Sequence, residues 1–205
     1  MSGPLRIGVL ASGEGTNLQA LLDTVHGHEA RVVGVTGDKP GARALQRAES
    51  CGIATAVFPL ADHEDRAARD LALCAWLDDQ GVELVVLAGY MAILTPGFVE
   101  ARRGRIVNVH PSLLPAFPGL GAIEQALAYG VRVLGVTVHF VDAGVDTGSV
   151  ILQAAVELPG AGVDADQAHE LLRPLEHRLL PEAVRLIAAG RVRRDPEHPR
   201  RVLID

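Results

Sequence analysis

The sequence predicts an α/β fold, a single domain whose mostly parallel, twisted sheet has helices on both faces. Short apolar runs alternate with helical periodicity through the first half of the chain, which favours parallel strands with right-handed crossovers. Residues 84–88 (LVVLA) are apolar throughout, as strands covered on both faces are. One domain is therefore expected over residues 1–190, followed by a C-terminal surface extension over residues 191–205.

Strands and helices are expected to alternate in the first half of the chain. The leucines that follow residues 5–10 recur at helical spacing after a glycine loop, and glycines after the later helical stretches are typical stop signals. The predicted strands are residues 5–10, 31–36, 54–58 and 84–88. The better-defined predicted helices are residues 42–50 and 66–79.

The second half begins with a strand and then loses its regular alternation. Strands are predicted at residues 106–109, 134–140 and 150–156, and helices at residues 123–129 and 167–189. The prolines that follow His110 exclude a regular helix or a central strand there. Pro174 and Pro181 are expected to kink or interrupt the last helix, because proline lacks the N–H group of a helical hydrogen bond.

Composition and charge narrow the function classes. The chain has 205 residues and a formal net charge of -6, which argues against a nucleic-acid partner. No signal-like leader is seen and the longest apolar runs are too short for a bilayer, so a cytoplasmic protein with no membrane partner is expected. Cys51 and Cys74 are interpreted as reduced core thiols. No metal site is predicted, because His26, His28 and His63 lack ligand spacing.

A glycine loop joins the first strand to the first helix. Its residues are Gly13, Glu14, Gly15, Thr16 and Asn17. Free backbone N–H groups and the positive end of the helix dipole make such a turn a cradle for a phosphate group. No Lys-Ser/Thr pair follows, and the third glycine of a dinucleotide fingerprint is missing, so a small phosphate monoester suits the loop better. The alternative is a tight turn that binds nothing.

A second polar group lies at the end of a predicted strand. Asn108 and His110 are two residues apart, so strand alternation places them on one face. An amide N–H and an imidazole can both stabilise a developing oxyanion. Asp142 or Asp146, in a later glycine-rich loop, could reach His110 and set its charge, although aspartates in such loops are often turn formers. His139 is a further candidate, with packing in the core as its alternative.

Read together, five sequence blocks resemble the phosphoribosylglycinamide (glycinamide ribonucleotide) formyltransferase family. The His-Pro-Ser-Leu-Leu-Pro block resembles folate-dependent formyltransferases in general, and the glycine loop before Asn17 resembles the glycinamide ribonucleotide branch. The blocks follow the family's order across nearly the whole chain: residues 7–17 (IGVLASGEGTN), 85–94 (VVLAGYMAIL), 106–114 (IVNVHPSLL), 138–153 (VHFVDAGVDTGSVILQ) and 176–181 (EHRLLP).

The resemblance implies a fold and a reaction. The fold would be formyltransferase-like, with a Rossmann-like N-terminal half. The reaction would transfer a formyl group from 10-formyltetrahydrofolate to the amine of glycinamide ribonucleotide in de novo purine biosynthesis, through direct attack and an oxyanion intermediate. It implies small-molecule substrates, no metal, and a monomer or homodimer.

The resemblance also implies roles for individual residues. Asn108, His110 and Asp146 match the catalytic trio. The substrate phosphate and ribose would be bound by Gly13, Glu14, Gly15, Thr16, Asn17 and Glu176. The folate would be bound by Arg66, Met91, Ala92, Ile93, Leu94, Asn108, Val141 and Asp142. For Arg66 and Glu176 the alternative is a solvated charge on a helix.

Three departures from the family pattern concern binding and leave the catalytic trio intact. Ala92 stands where the family commonly has arginine, which removes one folate contact. Residues 121–124 (GAIE) lack the usual His and Arg, and residues 37–41 (GDKPG) replace a Ser/Asn-bearing stretch. These departures motivate an alternative, a non-catalytic binder of folate or phosphate.

Rival readings within the same chemistry differ in their expected architecture. A methionyl-tRNA formyltransferase is expected to carry a second, RNA-binding domain, and a formyltetrahydrofolate hydrolase an N-terminal regulatory domain. A formyltransferase acting on another phosphorylated amino sugar stays open on the shared loop. A sugar-nucleotide formyltransferase also stays open, and residues 13–17 are its discriminator, because that loop suits a terminal phosphate monoester.

Overall fold

The computed structural model describes residues 3–160, 162–198 and 200–205. Its contacts divide the chain into two compact units, the first ending at Val107 and the second running from Asn108 to Asp205. Within the described ranges, no helix combines the length and apolar character needed to cross a membrane. The domain bounds expected from the sequence, residues 1–190 and 191–205, stay a prediction.

The first unit alternates strands and helices and confirms the predicted α/β class. Its strands pair in parallel, in the order β3-β2-β1-β4. The elements are β1 (Leu5–Leu10), α1 (Thr16–Thr24), β2 (Ala30–Gly37), α2 (Arg43–Ser50), β3 (Ala54–Val57), α3 (Arg66–Asp79), β4 (Leu84–Leu87) and α4 (Pro96–Ala101), with a 3-10 turn at Leu60–Asp62.

The centre of this sheet is built from β-branched side chains. Val9 of β1 lies in register with Val35 of β2 on one side and with Val86 of β4 on the other, and all three are fully buried. Leu18 and Leu21 of α1 are also fully buried. Burial of each such side chain stabilises the fold by roughly 1.5–3 kcal/mol. The strand ends that bear the loops are therefore held firmly in place.

The second unit contains an antiparallel pair covered by the longest helix. Strand β5 (Ile106–His110) runs across the boundary between the units along the chain. Strands β6 and β7 pair antiparallel, and α6 packs against both. The remaining elements are α5 (Ala122–Tyr129), β6 (Val133–Phe140), β7 (Val150–Glu157), α6 (Ala165–Ala188), β8 (Val192–Arg194) and β9 (Val202–Ile204).

The last helix is continuous, so an interruption at its prolines is ruled out, while the kink that was the other expectation stays a prediction. Helix α6 runs through Pro174 and Pro181. A capping box between Asp164 and Gln167 holds its first turn, and Leu172 lies fully buried on the face towards β6 and β7. Each proline removes a single backbone donor, and the capped, packed helix tolerates that loss.

Three further features differ from the sequence-based expectations. Helix α4 follows Thr95, whose hydroxyl caps it, and was not predicted. Strands β8 and β9 pair antiparallel, and Arg193 forms an ion pair with Asp205 at 2.7 Å. Cys51 is exposed, and Cys74 is half-buried, so neither is a fully buried core thiol.

Candidate active site

Strand β5 ends with the polar pair that the sequence singles out. Asn108 and His110 lie on one face of the strand, and both approach the carboxylate of Asp146. The Asn108 amide nitrogen Nδ2 donates to Asp146 Oδ1 at 3.5 Å, and His110 Nδ1 lies 3.4 Å from Asp146 Oδ2. The structure therefore brings together all three residues of the predicted trio.

Both ring nitrogens of His110 face acceptors. Nε2 lies 2.9 Å from the carbonyl oxygen of Phe117, which can only accept, while Nδ1 faces the Asp146 carboxylate. The side chain is only 7% exposed. A doubly protonated ring satisfies both neighbours at once, so the geometry suits an imidazolium that donates to negative charge.

Asp146 is the anion around which these donors converge. Its Oδ2 also accepts from the backbone N–H of Gly119 at 2.8 Å. Burial alone raises the pKa of this carboxyl, but hydrogen bonds from His139 and Gly119, together with the positive charge of His110 and His139 when protonated, outweigh burial and lower the pKa to about 2. Asp146 is therefore a carboxylate at any physiological pH, and its surroundings stabilise a negative oxygen.

His139 joins the same cluster from β6. Its Nδ1 lies 2.8 Å from the Phe140 carbonyl and therefore carries a proton. Its Nε2 lies 3.3 Å from Asn108 Nδ2 and 3.5 Å from Asp146 Oδ1. The sequence made His139 a candidate functional residue, with packing in the core as its alternative. In the structure His139 is buried and also contacts two members of the trio.

The structure decides between the two loop aspartates. Asp142 Oδ1 accepts from the backbone N–H of Gly144 at 3.1 Å and from the Thr147 hydroxyl at 2.6 Å, so it shapes its own loop. Asp146, rather than Asp142, reaches His110. The predicted contacts of Asp142 and of its neighbour Val141 with a folate stay predictions.

The proline-rich segment after His110 is held by a buried threonine. Thr137 of β6 donates its hydroxyl hydrogen to the Ser112 carbonyl at 2.7 Å and accepts from the Leu114 N–H at 3.1 Å. Gln153 of β7 donates to the Leu114 carbonyl at 2.9 Å. Because prolines prevent regular pairing here, these side chains satisfy the backbone instead and fix the path towards Phe117.

The glycine loop of the first unit turns tightly between β1 and α1. Gly15 is the N-cap of α1 and has a left-handed φ of 70°, which favours glycine. The Glu14 carboxylate pairs with Arg43 at 3.0 Å, and Arg47 donates to the Glu14 carbonyl at 2.9 Å. Because the Glu14 side chain is turned towards α2, this loop offers an anion the first-turn N–H groups of α1, including those of Thr16 and Asn17.

A cavity of about 410 Å³ lies elsewhere in the first unit and contains three of the predicted folate residues. Its lining is Asp38, Lys39, Leu60, Arg66, Arg69, Ala92 and Ile93. Two more of the predicted residues, Met91 and Leu94, lie in the same segment as Ala92, Met91 exposed and Leu94 half-buried. The cavity wall is therefore partly apolar and has more cations than anions, which suits an amphipathic anion.

Arg69 was missed by sequence reasoning and is a main support of this cavity. It is 2% exposed, pairs with Asp70 at 2.6 Å and donates to the Ile93 carbonyl at 2.8 Å. The other carboxylate oxygen of Asp70 accepts from the Thr95 N–H at 2.6 Å. The spacing of Arg66 and Arg69, three residues apart on one helix face, was the signal that could have found it.

Glu176 was predicted to bind a ribose, with a solvent-exposed helix charge as the alternative. Glu176 of α6 is 5% exposed and lies 3.9 Å from His169 Nε2, so it is not the solvent-facing charge of the alternative reading. Its predicted contact with a ribose stays a prediction.

Across residues 3–160, 162–198 and 200–205, no three His, Cys, Asp or Glu side chains are grouped as a metal site requires.

Residues along most of the chain are similar to a known protein family. The sequence profile described as formyl transferase matches residues 5–184. The chain belongs to the formyl transferase family.

Two related proteins are similar to this chain over most of its length. The phosphoribosylglycinamide formyltransferase of Mycobacterium tuberculosis is 45% identical over 188 residues, which cover 91% of this chain and 86% of that protein. The trifunctional purine biosynthetic protein adenosine-3 of Drosophila pseudoobscura is 44% identical over 197 residues. This second match covers 94% of this chain but only 14% of the longer protein, so the chain corresponds to one part of it.

A solved formyl transferase structure shares the fold along almost the whole chain. The glycinamide ribonucleotide transformylase 1 of Symbiobacterium toebii is 46% identical and superposes with a TM-score of 0.92, covering 98% of this chain and 94% of that one. The predicted fold class is confirmed by this match.

Proposed function

We propose that this chain transfers the formyl group of 10-formyltetrahydrofolate to the amine of glycinamide ribonucleotide, giving formylglycinamide ribonucleotide and tetrahydrofolate in purine biosynthesis. The observation that carries the proposal is the cluster in which Asn108, His110 and Asp146 converge. The relatives named phosphoribosylglycinamide formyltransferase and glycinamide ribonucleotide transformylase support the choice of substrate.

The chemical step needs stabilisation of one negative oxygen. The substrate amine attacks the formyl carbon, the carbonyl π pair moves to oxygen, and an oxyanion forms. The amide of Asn108 and the positive charge of a protonated His110 stabilise that oxygen, while Asp146 balances the charge on His110. When the intermediate collapses, the bond to N10 of the folate breaks, and the amine proton passes through water to that leaving nitrogen.

Binding of the phosphorylated substrate is assigned to the glycine loop and to Glu176. Phosphate oxygens accept from the first-turn N–H groups of α1, where the helix dipole also favours negative charge. Glu176, a buried acceptor, takes the ribose hydroxyl groups. No metal is needed for either contact.

Binding of the folate is assigned to the cavity beside Arg66 and Ala92. A folate has an apolar ring system and an acidic tail, and the cavity offers Leu60 and Ile93 together with Lys39 and Arg66. Since Ala92 provides no cation and Arg69 is already paired with Asp70, Lys39 and Arg66 supply the charge for the tail carboxylates.

The proposed reaction also implies what the chain binds and where it acts. Its substrates are small molecules, and the net charge of -6 gives no support to a nucleic-acid partner. The chain would act in the cytoplasm, as a monomer or a homodimer.

The test is a spectroscopic assay of the purified protein with 10-formyltetrahydrofolate and glycinamide ribonucleotide, with each omitted in turn. Turnover that requires both substrates is the expected result. Loss of the formyl group without the amine would instead indicate a hydrolase. Folate binding without any turnover would support the non-catalytic alternative and overturn the proposal.

A further inference from the structure

Phe117 has an unusual backbone conformation beside the catalytic cluster. Its φ is 51°, in the left-handed region that side chains with a Cβ rarely adopt. Among the described residues, only Phe117 and Asp146 combine a side chain with a positive φ. Because this conformation is unfavourable on its own, contacts made by Phe117 must hold it.

The conformation of Phe117 directs backbone groups at two catalytic residues. Its carbonyl oxygen lies 2.9 Å from His110 Nε2, and two residues later the Gly119 N–H donates to Asp146 Oδ2 at 2.8 Å. The Phe117 carbonyl and the Asp146 carboxylate therefore approach opposite nitrogens of the His110 ring. Loss of the Phe117 contact would leave the ring tethered on one side.

The side chain of Phe117 has one aromatic neighbour in the described structure. The ring of Tyr129, the last residue of α5, meets it edge to face, with centroids 5.8 Å apart and planes at 64°. Tyr129 is otherwise 81% exposed, so it contributes little to the core. The Phe117–Tyr129 pair thus joins an otherwise irregular loop to a regular helix, in a geometry that aromatic rings favour.

We propose that Tyr129 is a positioning residue that acts through Phe117 on His110. Its ring fixes the Phe117 ring, the fixed ring keeps the Phe117 backbone left-handed, and the Phe117 carbonyl then holds the Nε2–H of His110. The kinetic consequence rests on the proposed formyl transfer, whereas the effect on the His110 ring does not. Tyr129 contacts the Phe117 ring, and it is the Phe117 carbonyl that contacts His110.

The experiment compares Tyr129→Ala with the ring-preserving Tyr129→Phe. In nitrogen-15 spectra of the imidazole groups, we expect the Nε2–H proton of His110 to be protected from solvent exchange in the wild type and in Tyr129→Phe, and to be broadened in Tyr129→Ala. In the formyl-transfer assay, Tyr129→Ala should lower kcat about fivefold with KM for the phosphorylated amine within about twofold, as loss of one aromatic contact permits. Val133→Ala, which removes another exposed apolar side chain, is the matched control.

The outcomes separate this inference from the proposed function. An Nε2–H signal in Tyr129→Ala as protected as in the wild type would overturn it. So would a Tyr129→Phe variant that behaves like Tyr129→Ala, because the ring alone is assigned the effect. A wild-type protein without formyl transfer, but with the expected change in the His110 spectrum, would support the inference and reject the proposed function.

Discussion

At the scale of single residues, nitrogen donors surround one carboxylate. Asn108 Nδ2, His110 Nδ1 and the Gly119 N–H all point at Asp146. These contacts hold the carboxylate beside Asn108 and His110, the two residues proposed to stabilise the oxyanion. The sequence offered both Asp142 and Asp146 as partners of His110 and did not decide between them. Strand alternation correctly placed Asn108 and His110 on one face of the strand. The backbone groups of Phe117 and Gly119 left no signal, since any residue type has a carbonyl and an N–H.

Removal of either oxyanion donor should reduce turnover. We expect Asn108→Ala and His110→Ala each to lower kcat by about two decades or more, as loss of one such donor does. The measurement is kcat in the two-substrate assay, with circular dichroism to verify folding. His28→Ala, which removes an exposed histidine, is the control and should keep its activity. A near-normal kcat in either variant would remove that residue from the proposed mechanism.

The lowered pKa of Asp146 has a consequence for stability. Because the pKa falls from 3.8 to about 2 on folding, the carboxylate stabilises the fold above pH 4, and this contribution is lost as the pH falls through 2. Asp146→Asn, which keeps a residue type that tolerates the left-handed φ of 52°, should lose about 2 kcal/mol of unfolding free energy at pH 7. The loss should shrink between pH 4 and pH 2.

Urea unfolding at a series of pH values measures that difference. The matched control is Asp142→Asn, in the same loop, whose carboxylate accepts from Gly144 and Thr147 instead. An equal, pH-independent loss in both variants would assign the effect to the loop and contradict the electrostatic account of Asp146.

At the scale of elements, the glycine loop depends on close approach between two helices. A Cβ added at Gly15 would lie 2.7 Å from the Cα of Ala44 in α2, and the φ of Gly15 is already left-handed. A Cβ at Gly13 would meet nothing within 4 Å. The two glycines therefore have different reasons to be present, which the GxG pattern alone did not reveal.

This difference predicts unequal effects of alanine. Gly15→Ala should destabilise the protein by about 2–4 kcal/mol through strain and overpacking, and should weaken binding of the phosphorylated substrate. Gly13→Ala should stay within about 0.5 kcal/mol of the wild-type unfolding free energy. Thermal and urea unfolding of both variants measure this. Equal stability of the two variants would show that the approach of Gly15 to Ala44 does not constrain the loop.

At the scale of the whole molecule, sequence patterns predicted the main strands and helices better than the contacts that hold them in place. Continuous apolar runs such as residues 84–88 located the buried strands, because a strand covered on both faces consists almost entirely of apolar residues. The pairing of β8 and β9 was missed, since strands of three residues show no alternation to read. The continuity of α6 was missed because packing against β6 and β7 overrides the local effect of proline. The Arg69–Asp70 brace was also missed, since neighbouring opposite charges are usually solvated.

Ligand binding should stabilise the whole chain by mass action, and this separates the two proposed binding regions. At about 100 times its Kd, either substrate should add roughly 2.7 kcal/mol, which raises Tm by about 5–10 °C for a chain of this size. Asn17→Ala removes a side-chain amide donor beside the first-turn N–H groups of α1, so it should reduce the rise produced by glycinamide ribonucleotide and keep the rise produced by tetrahydrofolate. Arg66→Ala, in the cavity wall, should show the reverse. Arg31→Ala, which removes an exposed arginine of β2 outside that wall, should keep both rises. If Asn17→Ala and Arg66→Ala each kept both rises, the binding roles assigned to the Asn17 and Arg66 side chains would both be wrong, whatever the enzyme assay gave.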